Sequence, residues 1–168
     1  MAELTPSERL QPCLLDRLAD EDPHTTRESR DQRVISMRRY REAVLRDLGW
    51  LMNTGAAPPG EPIYEFKHVS ASVLNYGIHD LSGTTSEGAD INQIEREMSQ
   101  AILRYEPRIM PETLAVRATA ARDKMDQNAV SFEITGDLWA QPMPEQMYIK
   151  TEIDLETGTC DVKMEGAG

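Results

Sequence analysis

The stretch QAILRYEPRIMPETLAVRA, residues 100–118, contains the point at which the spacing of apolar residues changes. Up to Tyr105 the apolar residues recur every three or four positions, as on one side of a helix. Pro107 ends this pattern, because proline has no N–H to donate within a helix. After Pro111 the period becomes two, with Leu114, Val116 and Ala118 on one face. The stretch therefore predicts a boundary between a helical part and a β part of the chain.

Three more stretches downstream show the period of two that is typical of half-buried strands. Their apolar positions are Val130, Phe132 and Ile134, then Met147, Ile149 and Ile153, then Cys160, Val162 and Met164. LETGT, residues 155–159, has the length of a tight hairpin turn, in which Gly158 would supply a positive φ. Together the four stretches predict an antiparallel meander with one apolar and one polar face.

Two amphipathic segments upstream have the period of a helix. The first runs from Ser29 to Met52, and the second from Ile91 to about Tyr105, preceded by Asp90 as its N-cap. Their apolar sides contain Val34, Met37, Val44, Leu45, Leu48, Leu51 and Met52, and Ile91, Ile94, Met98, Ala101, Ile102 and Tyr105. Helices followed by an antiparallel sheet predict an α+β fold in two layers, with N-terminal helices packed on a C-terminal four-stranded meander sheet.

The segment between the two helices is rich in glycine and proline at its start, which predicts a loop. One short helical turn is expected around Ser72 to Tyr76. The apolar residues expected to anchor this segment to the core are Phe66, Val69, Val73, Leu74, Tyr76 and Ile78.

Residues 1–28 are expected to form an appendage to a single domain that spans residues 29–168. Its apolar stripe, Leu10, Leu14, Leu15 and Leu18, is about two turns long and too short for a stable isolated helix. The stripe must dock either on its own domain or on a partner, and the sequence leaves both open. Trp50 and Trp139 are likewise either core residues or residues that a partner covers.

The composition excludes several classes of protein. A net charge of −11 opposes nonspecific binding to nucleic acid or to an anionic membrane. No apolar run approaches the roughly 20 residues of a membrane span, and the N-terminus lacks the pattern of a signal peptide. A cytoplasmic protein without membrane insertion is therefore expected, with Cys13 and Cys160 as buried free thiols.

No motif in the sequence indicates catalysis, a cofactor or a metal. With 29 Asp and Glu residues, a pair of carboxylates cannot single out a hydrolase site. His24, His68 and His79 lie in loops without metal-ligand spacing. SGTTSEG, residues 82–88, lacks the lysine of a phosphate loop. We therefore predict that the protein is not an enzyme and has no cofactor.

Glu106, Pro107 and Arg108 pose a specific question. A carboxylate in the last turn faces the negative end of the helix dipole, where a cation would be favoured. Pro107 restricts the conformation of Glu106 and fixes the exit of the chain from the helix. The two charges either neutralise each other inside the domain or form paired hydrogen bonds with a partner, and the residues alone leave both open.

Four segments resemble those of the TssE family, the baseplate wedge subunits of the bacterial type VI secretion system. They are LLDRLAD from residue 14, SMRRYREAVLRDLGWLMNT from residue 36, SVLNYGIHDLSG from residue 72 and ILRYEPRI from residue 102. The resemblance covers nearly the whole chain in the family's order. The family is related to a baseplate protein of contractile phage tails.

The resemblance implies a structural component that links the wedge to the first ring of the contractile sheath and templates sheath assembly. Its implied partners are the baseplate proteins TssF and TssG, with TssK as a further candidate, and the sheath proteins TssB and TssC. Glu106, Pro107 and Arg108 are the implied partner-binding residues. An exposed edge strand, within 113–119 or 159–165, is the expected site for strand addition.

Two other functions remain as alternatives. One is a soluble regulatory binding module on the same fold, similar to an anti-adaptor of a protease system. The other is a cell-wall hydrolase, which the residues support least because no defensible acid pair and no export signal are present.

Overall fold

The computed structural model describes residues 12–18, 35–80, 90–119, 129–140 and 143–164. The helices are α1 (Leu14–Leu18), α2 (Met37–Met52), α3 (Lys67–Ser70) and α4 (Ile91–Tyr105). The strands are β1 (Ala115–Thr119), β2 (Ala129–Leu138), β3 (Glu145–Asp154) and β4 (Cys160–Met164). Two short 3₁₀ turns, Pro62–Glu65 and Val73–Asn75, lie between α2 and α4. The predicted α+β fold is confirmed.

The sheet is the predicted antiparallel meander, with the strand order β1-β2-β3-β4. Along β2 and β3 every second side chain is buried, which places one face of the sheet on the core. In the hairpin between β3 and β4, Gly158 has the expected positive φ of 72°. The Gly158 N–H donates to the Asp154 carbonyl at 2.7 Å, and the Asp154 N–H donates to the Thr159 carbonyl at 2.9 Å.

Helix α2 begins later than predicted. Ser36 has an extended backbone with ψ 153°, and its hydroxyl accepts a hydrogen bond from the Arg39 N–H at 3.3 Å. The serine therefore caps the helix at Met37, and the predicted start at Ser29 is wrong, because a continuous helix cannot pass through an extended residue. The buried side of α2 includes Tyr40, which the sequence analysis did not place in the core.

Helix α4 agrees closely with the sequence. The Asp90 carboxylate accepts a hydrogen bond from the Gln93 N–H at 3.1 Å and caps the helix, as predicted. The helix ends at Tyr105. Ile91 is 38% exposed, so the buried stripe begins one turn later, at Ile94.

The core lies between the two long helices and the apolar face of the sheet. Helix α2 lies against β4, helix α4 lies against β1, and the two helices contact each other. The side chains with no exposed surface are Val44, Leu48, Met98, Ile102, Phe132, Leu138 and Ile149. Full burial of each such side chain stabilises the fold by about 1.5–3 kcal/mol.

The segment between α2 and α4 is held mainly by polar contacts. The Asn75 side chain is 6% exposed; it accepts from the Ala57 N–H at 2.9 Å and donates to the Ser70 carbonyl at 3.1 Å. The predicted short turn is present as the 3₁₀ turn Val73–Asn75. Three of the expected apolar anchors, Phe66, Val73 and Leu74, are instead 60–76% exposed, and that part of the prediction is wrong. The buried amide and the backbone hydrogen bonds fix the loop in their place.

Helix α1 does not bury its leucines. Leu14, Leu15 and Leu18 are 71%, 48% and 73% exposed, and Leu10 lies outside the described residues. Cys160 is buried and Cys13 is half-buried, and both are free thiols. The division into residues 1–28 and 29–168 stays a prediction. None of the helices that the structure describes has the length and apolarity needed to cross a membrane.

Candidate functional site

Glu106 forms the C-terminal cap of α4. Its N–H donates to the Ile102 carbonyl at 2.8 Å, and its backbone then leaves the helical region with φ −120° and ψ 77°. The Ile109 N–H donates back to the Glu106 carbonyl at 3.2 Å, which closes a tight turn over Pro107 and Arg108. The tripeptide is thus a corner of defined shape, with the proline on its outer side.

The carboxylate of Glu106 is turned inward and is only 3% exposed as a residue. It accepts three hydrogen bonds from Arg108: from the backbone N–H at 3.1 Å, from Nε at 2.7 Å and from Nη2. Arg108 therefore supplies the positive charge that the end of the helix favours, and the carboxylate is neutralised within the domain. This answers why an acid can stand at this end of a helix.

The same guanidinium also bonds to helix α2. Arg108 Nη2 donates to Asp47 Oδ2 at 2.5 Å, and Asp47 Oδ1 accepts from Arg46 Nε at 2.9 Å. Arg46 Nη1 in turn donates to Asp16 Oδ1 of α1 at 2.6 Å. Five charged groups, Asp16, Arg46, Asp47, Arg108 and Glu106, therefore alternate in sign and join α1, α2 and the end of α4. We call these five residues the ion-pair chain.

The electrostatics of the ion-pair chain follow from its geometry. Burial alone would lower the pKa of Arg108, but hydrogen bonds and charges from Glu106 and Asp47 outweigh burial and raise that pKa. Burial alone would likewise raise the pKa of Asp16, yet hydrogen bonds from Cys13 and Arg46 lower it. The ion pairs therefore favour the charged forms of Asp16 and Arg108.

The corner is also bonded to the sheet. The Trp139 N–H at the end of β2 donates to the Arg108 carbonyl at 2.8 Å, and the Met110 N–H donates to the Asp137 carbonyl at 2.8 Å. On its other side, the Trp139 carbonyl accepts from the Tyr40 hydroxyl of α2 at 3.2 Å. The Glu106-Pro107-Arg108 corner therefore connects both long helices to the sheet.

A groove of about 370 Å³ lies beside the corner. Its walls include Leu15, Trp50, Tyr76, Tyr105 and Pro107. The Trp50 side chain is 51% exposed, and the Arg46 guanidinium lies 5.0 Å from the centre of its ring. An exposed aromatic beside a fixed proline and a neutralised charge network is the composition typical of a protein-binding surface.

The three predicted site residues are therefore adjacent but differ in accessibility. Pro107 is exposed, the Arg108 side chain is 16% exposed, and the Glu106 side chain is 4% exposed. Their assignment as partner-binding residues stays a prediction. Sequence reasoning missed Asp47 and Asp16, and the signal for Asp47 was only an acid within an arginine-rich helix.

Both outer strands of the sheet match the predicted edge stretches. At the β1 edge, the Ala118 N–H donates to the carboxylate of Glu95 on α4 at 2.6 Å. At the β4 edge, the backbone of Cys160 bonds to the side chain of Asn53, which follows α2. At each edge, therefore, one side chain from the helical layer forms hydrogen bonds with the backbone of the outer strand.

The two described histidines do not form a metal site. His79 Nδ1 lies 2.9 Å from Glu97 Oε2, and its Nε2 lies 3.2 Å from the Tyr64 hydroxyl, so that the ring ties the loop to α4. His68 is exposed, and His24 lies outside the described residues. Within the described ranges, no three His, Cys, Asp or Glu residues come together in a way that could hold a metal ion.

Comparison with known proteins identifies a family for this chain. The family described as baseplate wedge protein gp25 matches residues 38–143, from the start of α2 to the turn before β3. A search of curated proteins and a search of solved structures found no match. The matched region covers more than half of the 168 residues and includes the Glu106-Pro107-Arg108 corner. The chain therefore belongs to the baseplate wedge protein gp25 family, which is a family of structural proteins and confirms the resemblance found in the sequence.

Proposed function

We propose that this protein is a structural baseplate component of a type VI secretion system, which links the wedge to the first ring of the sheath and templates sheath assembly. It has no enzymatic role in this proposal and acts in the cytoplasm. Family membership supports the baseplate role. The observation that carries the finer assignment is the Glu106-Pro107-Arg108 corner, fixed by internal bonds beside an exposed groove.

In this proposal the three corner residues have different tasks. Glu106 and Arg108 hold the shape of the corner, because their opposite charges pair within the chain and either charge would cost several kcal/mol to leave unpaired. Pro107 and the exposed ring of Trp50 contact the wedge proteins TssF and TssG. A rigid corner loses little conformational freedom on binding, which favours a precise assembly.

The appendage belongs to the same binding surface. Leu15 lines the groove, whereas Leu14 and Leu18 point away from the domain with more than 70% of their surface exposed. We propose that a baseplate partner covers these two leucines. Asp16 holds α1 beside the groove through its bond with Arg46.

The sheath contact is assigned to the sheet. An exposed edge strand can accept a strand from TssB or TssC through backbone hydrogen bonds, which make few demands on side chains. If the sheath grows from such an edge, each ring would contact the next through the same strand geometry. The orientation of the sheath would then be set by the orientation of the baseplate.

A binding experiment with two matched variants tests the wedge contact. Trp50→Ala should lower co-purification with TssF and TssG by about tenfold or more, because exposed aromatics in a groove are typical hot spots. Tyr148→Ala, on the polar face of the sheet, removes an aromatic of similar exposure, 47% against 51%, and should leave binding unchanged. Equal binding by both variants would refute the assignment of the groove. Failure of the unmodified chain to bind any of the named partners would refute the function itself.

A further inference from the structure

The polar face of the sheet carries its charges in two rows that run across the four strands. Residues paired in the ladder lie side by side, so the register defines each row. One row, which we call the basic row, has three cations and one acid: Arg117, Glu133, Lys150 and Lys163. The neighbouring row, which we call the acidic row, has two acids and no cation: Thr119, Ser131, Glu152 and Asp161. The two rows are about 7 Å apart, because they are separated by two residues along each strand.

The charged side chains of both rows point away from the core. On β3, Lys150 and Glu152 are exposed, whereas the residues that alternate with them are buried. On β4, Lys163 bonds to Asp161 on the same face, and their side chains are 74% and 61% exposed. An ion pair as exposed as this one contributes little to stability, so its two charges can exchange partners at small cost.

The two rows are complementary to each other in charge, so the face is complementary to a second copy of itself. Two copies can meet face to face about a two-fold axis that lies in the interface. An axis along the strands would place each row on the same row of the other copy, where like charges repel. An axis that runs between the two rows, across the strands, places the basic row of each copy on the acidic row of the other. Of these two arrangements, only the second brings opposite charges together.

We propose that two copies of this chain pair through the polar faces of their sheets, about a two-fold axis between the basic and the acidic row. Lys150 of each copy then faces Glu152 of the other copy, and Lys163 of each copy faces Asp161 of the other. Both contacts form twice because of the symmetry. The pairing goes beyond the baseplate role and does not depend on it.

The shape of the face agrees with this arrangement. A depression of about 510 Å³ lies on the face, with the short side chains of Thr119 and Ser131 in its wall. In the paired copies, the exposed Arg117 lies opposite Thr119 of the other copy. A long side chain therefore meets short ones at this end of the two rows, whereas charges of opposite sign meet at the other end.

The size of the face indicates a weak dimer. Four strands about 4.8 Å apart and five residues of about 3.4 Å each give an area of about 350 Å² per copy. A stable interface buries about 800 Å² per partner, so we expect a dissociation constant of about 0.1–1 mM. Each copy has a net charge of −11, which opposes association. At an ionic strength of about 0.1 M, however, exposed charges more than about 10 Å apart are largely screened, whereas the facing pairs are closer than that.

Sedimentation equilibrium of the isolated chain tests whether the dimer forms. At a protein concentration of about 1 mM in about 0.1 M salt, half or more of the chains should be dimeric. Raising the salt to about 0.5 M should weaken the dimer severalfold, because the contact is ionic. A chain that stays monomeric at about 1 mM, or a dimer that does not respond to salt, would overturn the proposal.

Charge exchange tests which residues face each other. Lys150→Glu places a carboxylate opposite Glu152 of the second copy, so the dissociation constant should rise about tenfold or more. The double variant Lys150→Glu/Glu152→Lys exchanges both charges and should restore the dimer. Lys67→Glu, at an exposed residue of α3, changes the net charge of the chain by the same amount and should weaken the dimer much less.

All three substituted residues are exposed, so each variant should fold, and thermal melting checks this. An equal loss of dimer in Lys150→Glu and Lys67→Glu would show an effect of net charge alone and refute the proposed contact. A dimer that Lys150→Glu leaves intact, or one that the double variant fails to restore, would place the interface elsewhere on the chain.

Discussion

Replacement of Glu106 by alanine is the sharpest test of the ion-pair chain. The carboxylate accepts three hydrogen bonds from Arg108 and lies at 3% exposure, so its removal leaves a guanidinium that is mostly buried. Breaking a buried pair costs about 3–5 kcal/mol when the remaining charge has no other partner. Here Asp47 still bonds to Arg108 at 2.5 Å, and 16% of the Arg108 side chain reaches solvent. Because of both features, we expect the free energy of unfolding to fall by about 3 kcal/mol, the lower limit of that range.

Urea denaturation and thermal melting measure this loss directly. For a chain of 168 residues, about 3 kcal/mol corresponds to a fall in Tm of about 6–12 °C. The urea midpoint should fall with an unchanged slope, because the surface exposed on unfolding stays the same. The double variant Glu106→Ala/Arg108→Ala should lose less than the sum of the two single variants, because the second change removes the unpaired charge.

A matched control comes from an exposed ion pair on α2. Arg38 Nε and Glu42 Oε1 are 3.6 Å apart, and their side chains are 79% and 60% exposed. Glu42→Ala should therefore change the free energy of unfolding by only a few tenths of a kcal/mol. If Glu106→Ala were no less stable than Glu42→Ala, the corner would not be held by its buried charges, and our reasoning would be refuted. Loss of assembly in Glu106→Ala must accordingly be compared with its stability before it is assigned to a partner contact.

Three further predictions concern the loop and α1. Gly77 has φ +123°, and a Cβ there would lie 2.1 Å from the Thr54 carbonyl oxygen, so Gly77→Ala should cost at least about 2 kcal/mol in urea denaturation. Gly49→Ala, in α2 with open space around it, is the control and should stabilise by about 0.5–1 kcal/mol. Asn75→Ala leaves the Ala57 N–H without a partner, whereas the Ser70 carbonyl keeps its bond from Arg104 Nη1 at 3.2 Å, so the change should cost about 2 kcal/mol. A loss below about 0.5 kcal/mol, roughly a weak hydrogen bond, would show that water replaces the amide. The lowered pKa of Asp16 means that its contribution to stability is complete above the usual aspartate pKa and is lost as pH falls below about 4. Asp16→Asn should therefore be less stable than the unmodified chain at pH 7 by up to about 1 kcal/mol, and the difference should shrink as pH falls below about 4. A difference that stays constant with pH would exclude the ion pair as the cause.

Local signals in the sequence were sufficient for most of the fold. The change of period after Pro111, the cap at Asp90 and the glycine at residue 158 act within a few residues of the chain, and each produced the predicted element. The capping signal of Ser36 is equally local, but the apolar pattern continues upstream of it and predicts an earlier start of the helix. Periodicity reports which side of an element is apolar, and it does not by itself locate the ends.

The corner was visible in the sequence only as a tripeptide. Its burial and its partner Asp47, 61 residues away along the chain, depend on how α2 packs beside the end of α4. The exposure of Val73 and Leu74 could not be predicted from their hydrophobicity. At this turn the buried residue is the polar Asn75, and the hydrogen bond to its side chain fixes the backbone.

By itself, the sequence determined the two-layer order of helices and strands, the family and the location of the Glu106-Pro107-Arg108 corner. Only the tertiary structure decided that the charges of the corner face inward and that Asn53 meets Cys160, 107 residues away. The physical reason is one of range: caps, turns and periodicity depend on neighbours along the chain. Which side chains meet depends on how the helices lie on the sheet, and that arrangement is set by the whole core at once.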